Sequence, residues 1–182
     1  DRAWGTSRET TPDRARLIAH WKATLTAPPA RRPDPALGRA VFARTCQQCH
    51  TLHGEGGKVG PDLTGSNRAD LDYLLANVLD PSALIGKDYL AHVAATADGR
   101  VLTGIIRAED RDSLTLVTAN ETVVLPKAEI EERRASETSM MPEGLWDPLT
   151  EHEVRSLVAY LAGGVLPSPD SARTTAAGPE GP

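Results

Sequence analysis

Cys46-Gln47-Gln48-Cys49-His50 is the stretch from which the rest of the chain is read. Two thiols three positions apart, followed at once by an imidazole, make the C-x-x-C-H pattern by which a c-type haem is attached. In that chemistry each thiol adds to one haem vinyl group and the histidine ligates the iron from the proximal side. The spacing lets Cys46 and Cys49 reach neighbouring vinyls while His50 lies beneath the ring. These are the two cysteines of the chain, so no disulfide framework competes for them. One covalent haem c is expected, held by Cys46, Cys49 and His50.

Two other chemistries draw on the same residue types. A dithiol redox site of C-x-x-C type wants a preceding strand in a βαβ unit. Here an amphipathic helix precedes the motif and a glycine-rich loop follows. A zinc site could recruit Cys46, Cys49, His50 and His53, but the adjacent pair Cys49-His50 is strained on one tetrahedral ion, and no distant ligand pair completes it.

Outward from the motif the pattern is helical. Thr11 caps and Pro12 opens a first helix with Leu17, Ile18, Trp21 and Leu25 on one face. A Pro/Arg-rich linker covers 27–33. Asp34 and Pro35 open a second helix, carrying Leu37, Val41 and Phe42 into the motif. Residues 54–60 hold four glycines and read as an open loop. Leu71, Leu74, Leu75 and Val78 give a third helix, ended by Asp80-Pro81. From Tyr89 the pattern changes to short strands, expected at 89–97, 101–107, 114–118, 122–125 and 129–133, with Asp98-Gly99 as a hairpin turn. A small curled sheet or barrel follows from them. Thr150 and Glu153 form a capping box for a last helix with Val154, Leu157, Val158 and Leu161 on one stripe, stopped by Gly163-Gly164. Residues 164–182 read as a flexible tail.

Composition sets the outer limits. The chain of 182 residues suits one domain carrying an insertion, and 40% hydrophobic residues supply a core. Aromatics are 4%, and a buried porphyrin would supply the missing flat apolar surface. A net charge of −5 lacks the basic stripe of a nucleic-acid binder. No apolar run reaches the length of a membrane span. The chain opens on Asp1 without a signal peptide, as expected of a mature product or a piece of something longer. Haem attachment takes place outside the cytoplasmic membrane, so a periplasmic or otherwise extracytoplasmic bacterial location is expected.

The sixth iron position sets the redox character. Met140 and Met141 are the chain's methionines. They lie in the Pro/Gly-containing loop 139–148, and a loop can bring a thioether to a metal without distorting a helix. Met141 is preferred as distal ligand because Pro142 stiffens the backbone after it. Met140 is the alternative, and both could instead be core gap-fillers. The proximal histidine needs a partner for its free N–H. Gly60-Pro61-Asp62-Leu63 offers the Pro61 carbonyl, with Leu63 packing on the haem, unless this is simply a Gly-Pro turn. His53 is too close to His50 to reach the opposite face. His92 falls in a strand and is a bis-histidine alternative. His20 and His152 read as helix-surface residues.

These stretches resemble known families. Gly38 and Phe42 in the second helix, the Cys46–His50 motif, Gly60-Pro61-Asp62-Leu63, a methionine loop and Tyr160-Leu161 in the last helix resemble the class I cytochromes c over 34–163. That resemblance implies that the helices bearing Gly38, Phe42 and Tyr160 cross. Residues 54–63, 80–83, 98–104 and 141–145 are similar to the haem-binding domain family of planctomycete- and verrucomicrobium-type bacteria, which implies a domain that often ends a larger protein. The chain departs from a minimal cytochrome c in the long separation of His50 from the methionine pair.

The expectation is a mainly α, cytochrome c-like fold with a small antiparallel β region, α+β overall. Residues 1–33 form an N-terminal helix and linker. Residues 34–163 form the cytochrome domain, with the β region 89–134 inserted between the third helix and the distal methionine loop. The expected function is electron transfer through one six-coordinate haem, as a free carrier or a subunit of a larger complex with redox partner proteins, and without an enzymatic reaction of its own. The competing readings are a five-coordinate or Met-labile haem acting as enzyme or gas sensor, and a binding module with a structural haem.

Overall fold

Proline and a capping side chain open the first two helices in the computed structural model, which describes residues 5–163. Helix α1 (Pro12–Thr26) is capped by Thr11 and α2 (Pro35–Thr45) by Asp34, whose carboxylate accepts from the Ala36 amide at 2.9 Å. Pro at the first helical position costs nothing, because that amide has no intrahelical acceptor. Helix α3 (Leu71–Leu79) is capped by Asp70, and Asp80 ends it. Helix α4 (Glu151–Gly163) starts on the expected box: the Thr150 amide donates to the Glu153 carboxylate at 2.8 Å and the Glu153 amide to Thr150 Oγ1 at 3.3 Å. The expected tail at 164–182, and Gly164 as helix stop, lie outside the described residues.

Helices α2 and α4 pack face to face, and α1 lies on α3. Gly38 permits the first contact. A Cβ there would fall 2.1 Å from the Ser156 carbonyl oxygen and 2.7 Å from Tyr160 Cβ. Phe42 and Tyr160 meet at the same crossing with ring centroids 5.8 Å apart. The helical core joins Val41, Phe42, Leu52, Leu75, Val154 and Leu157 around a buried Trp146, whose ring meets Trp21 of α1 edge-on at 5.3 Å. Leu17, Ile18, Trp21 and Leu25, the stripe read for α1, all pack on this core.

Between α3 and the methionine loop, five strands form one antiparallel sheet: β5 (Ala91–Thr96), β6 (Val101–Glu109), β7 (Ser113–Val117), β8 (Thr122–Pro126) and β9 (Ile130–Ala135). Their order is β8-β7-β6-β5-β9, so β8 and β9 are edges and the sheet is open rather than a closed barrel. The sheet has its own small core of Ala94, Leu116 and Leu125. A bulge at Arg107 interrupts the β6–β7 register. The described chain is thus mixed α+β.

Two pairings lie outside what the sequence suggested. β1 (Thr6–Ser7) pairs with β4 (Leu84–Ile85), tying the N-terminal segment to the chain after α3. β2 (Thr51–Leu52) pairs with β3 (Glu55–Gly56), so part of the expected open loop is a tight hairpin. His53 (φ 54°) and Gly54 (φ 84°) are both left-handed there. That is the backbone of a type I′ turn, which matches strand twist.

Candidate haem site

Helix α2 delivers the motif. Cys46 caps its C-terminus, and the Cys49 and His50 amides both donate to the Cys46 carbonyl, at 3.1 and 3.0 Å, in one tight turn. The thiols are free and half-buried. Burial first, and the neighbouring Cys49 second, push the Cys46 thiol up from 9.0 to about 12. A dithiol redox centre works through a lowered thiol pKa, and the surroundings of Cys46 act in the opposite direction. Among the described residues, no group of three or more His, Cys, Asp and Glu side chains is placed to hold a metal ion.

The glycine-rich loop is laid back onto the motif. The Gly57 amide donates to the Gln47 carbonyl at 2.8 Å and the Gly60 amide to the Cys49 carbonyl at 2.7 Å. Gly60 then lies against the His50 ring: a Cβ there would fall 2.5 Å from Cε1 and 2.8 Å from Nδ1. One residue on, the Pro61 carbonyl oxygen is 2.9 Å from His50 Nδ1. A carbonyl can only accept, so Nδ1 carries the proton and Nε2 keeps its lone pair. The Leu63 amide donates to the Thr51 carbonyl at 2.8 Å, and the Leu63 side chain, like that of Cys46, packs on the helical core. Cys46, Cys49, His50, Pro61 and Leu63 are therefore one connected unit. Its oriented imidazole with a free Nε2, its two free thiols and its glycine cradle fit a c-type haem.

Met140 and Met141 are half-buried in the loop before α4. The Met141 amide donates to Ser139 Oγ at 3.1 Å, and the Ser139 amide to Ser82 Oγ at 3.1 Å. Glu143, in the same loop, pairs with Arg14 of α1 and lies 3.8 Å from Arg8. Arg8 in turn donates to the buried Asp80 at 2.6 Å. Neither methionine is among the side chains packed on the helical core or on the sheet core.

The remaining histidines divide. His20 is exposed and His53 occupies the hairpin turn. His92 sits in β5, its Nδ1 buried without a hydrogen-bond partner. His152 corrects the surface reading: both its ring nitrogens are buried and unpartnered. Its neighbours Glu151 and Glu153 made the first turn of α4 look polar.

Sequence reasoning missed three arginines that hold this frame. Arg68 donates to the Leu63 carbonyl at 2.9 Å and the Leu161 carbonyl at 2.6 Å, joining the haem loop to the end of α4. Arg155, nearly buried in α4, donates to the Ala27 carbonyl at 3.2 Å and to Thr24, capping the end of α1. Arg107 reaches from the sheet to the Lys58 and Val59 carbonyls. Each is an arginine whose fork fits carbonyls that a helix end or a loop leaves open, and none has a local sequence signal.

No curated protein matches the chain. Among the described residues no helix is long and apolar enough to cross a membrane. Residues 33–96 match the family model described as Cytochrome C oxidase, cbb3-type, subunit III, a match that takes in α2, the attachment motif, α3 and the whole of β5. With the geometry of the Cys46–Leu63 unit, that match over about a third of the chain supports a c-type cytochrome segment and haem-based electron transfer.

Proposed function

We propose that this chain is a single-haem electron carrier, with haem c bound covalently through Cys46 and Cys49, His50 as proximal and Met141 as distal ligand, and Met140 as the alternative. The observation that carries this reading is the 2.9 Å contact of His50 Nδ1 with the Pro61 carbonyl, which leaves Nε2 as the one ring nitrogen able to take iron. Once bound, the haem supplies a one-electron couple. The chain's own work is to hold the His50 ring, to shield it with Gly60 and Leu63, and to present the methionine loop. Two occupied axial positions leave no open site for a substrate, which favours a carrier over an enzyme.

The finer family assignment belongs to the same proposal: the haem-binding domain type of planctomycetes and verrucomicrobia, with 34–163 as the cytochrome unit and the β region 89–134 as its insertion. So do an extracytoplasmic, periplasmic location and a place within a larger oxidoreductase, as the name of the matched family suggests. The test is a haem stain after denaturing electrophoresis, with carbon monoxide added to the reduced native protein. Covalent haem lost in Cys46→Ser and Cys49→Ser, with no carbon monoxide binding in the native chain, supports the six-coordinate carrier. Rapid stoichiometric carbon monoxide binding would make the haem five-coordinate, an enzyme or a gas sensor.

A further inference from the structure

The five-stranded sheet touches the haem-attachment segment at two places. The first is Arg107. A β-bulge leaves this residue without a cross-strand partner, between the Ile106–Leu116 and Ala108–Thr115 pairs. Bulges re-aim a side chain, and this one sends the guanidinium out of the sheet. Its Nη2 donates to the Lys58 carbonyl at 2.7 Å and to the Val59 carbonyl at 2.8 Å. Its Nη1 lies 3.5 Å from the Asp88 carbonyl, and its carbon centre sits 5.3 Å from the centroid of the Tyr89 ring. The second place is the β7–β8 turn, whose Ala119 carbonyl lies 3.5 Å from Gln48 Nε2 within the motif.

Lys58 and Val59 immediately precede Gly60, which lies against the His50 ring, and Pro61, whose carbonyl takes its proton. A loop with Gly54, Gly56, Gly57 and Gly60 has few side chains to hold it and loses much backbone freedom on ordering. Backbone bonds from Gly57 and Gly60 to the Gln47 and Cys49 carbonyls hold it on the motif side, and Arg107 adds a hold from the sheet. We infer that Arg107 is a positioning residue for the proximal ligand: through the Lys58 and Val59 carbonyls it fixes the loop that keeps the Pro61 carbonyl on His50. This gives the sheet a task, and it rests on His50 being the proximal ligand as proposed above.

The test compares Arg107→Ala, Arg107→Lys and the control Arg100→Ala, all in the haem-loaded chain. Arg100 pairs with Asp98 inside its own hairpin, so the control removes a sheet arginine without touching the loop. Charge-assisted bonds of this kind are worth more than neutral ones, so exchange of the Gly60 amide should speed up about tenfold or more in Arg107→Ala. A slackened Nδ1–carbonyl bond makes His50 a weaker donor and stabilises ferric iron less. The reduction potential should rise above that of the control, with Arg107→Lys in between. A merely stabilising role would lower the melting temperature and move neither reading. Gly60 exchange and potential equal to the Arg100→Ala control overturn the inference. If Arg107→Ala does not fold, Arg107→Lys decides on the same two readings. If the native chain shows no histidine-ligated spectrum, the proposed function fails, and Gly60 exchange alone still decides on the clamp.

Discussion

The proximal and distal loops are held by different kinds of contact. On the proximal side the groups that touch His50 or its turn lie within a dozen residues of it: the Cys46 turn, the Gly60 cradle and the Pro61 carbonyl. On the distal side the methionine loop is moored to remote parts of the chain, to Ser82 after α3 and through Glu143 to Arg14 and Arg8. A locally closed site tolerates little change at its centre. A moored loop can lose one tether and keep the others. The difference suits the two proposed ligands, since His50 would come with the covalent attachment while a thioether would have to be brought in.

The largest effect is expected at the centre of the proximal side. Gly60→Ala places a methyl group 2.5 Å from His50 Cε1, so the ring or the loop must move. Overpacking of this kind costs about 1–3 kcal/mol, read as a lower melting temperature, and the visible spectrum should lose its native axial signature. An unchanged spectrum would show that the cradle does not position the ring.

Next comes the anchor of the distal tether. Arg8→Ala leaves the Asp80 carboxylate, 2% exposed, without its partner. Stranding a buried charged acceptor costs about 1–3 kcal/mol, measurable by denaturant unfolding. The outer tether matters less. Glu143→Gln removes the pairing with Arg14 at a half-exposed position, and such pairs contribute about 0.2–1 kcal/mol. If Glu143→Gln cost as much as Gly60→Ala, the contrast between a closed and a moored side would collapse.

The smallest effect concerns the joint between the two sides. Glu153 closes the distal loop onto α4 and pairs with Arg44, one turn before the haem motif. The Thr150 amide first, then the Arg44 guanidinium, hold its carboxyl down from 4.5 to about 2. The ionised form is the one the fold favours. Its contribution is therefore full above about pH 4.5 and is lost as the pH falls towards 2. Glu153→Gln should lower the melting temperature modestly at neutral pH, where the ionised carboxyl contributes in full, and flatten the fall across that window so that the two proteins converge near pH 2. An unaltered acid limb would place the pH sensitivity elsewhere.

What was legible in the sequence follows the same division. The Asp34-Pro35 start, the Cys46–His50 motif, Gly60-Pro61 and the Thr150–Glu153 box are signals within a few residues, and each appears in the structure as a local hydrogen-bonded unit. The strands were legible from alternation and turns, although alternation does not distinguish an open sheet from a barrel. The mooring contacts were not legible. Arg8 with Asp80, Arg107 with Lys58 and Arg155 with Ala27 join distant residues. An arginine on a helix or strand reads as a surface charge until the fold brings an acceptor to it. The β1–β4 pairing was missed for the same reason, because two-residue strands carry no periodicity.

The account turns on the distal ligand, and a near-infrared spectrum of the oxidised protein tests it most directly, since methionine–iron ligation gives a band there. The native chain and Met140→Ala should both show the band, and Met141→Ala should lose it. A band absent from the native chain, or one abolished by Met140→Ala and kept in Met141→Ala, would contradict the assignment of Met141 as the sixth ligand.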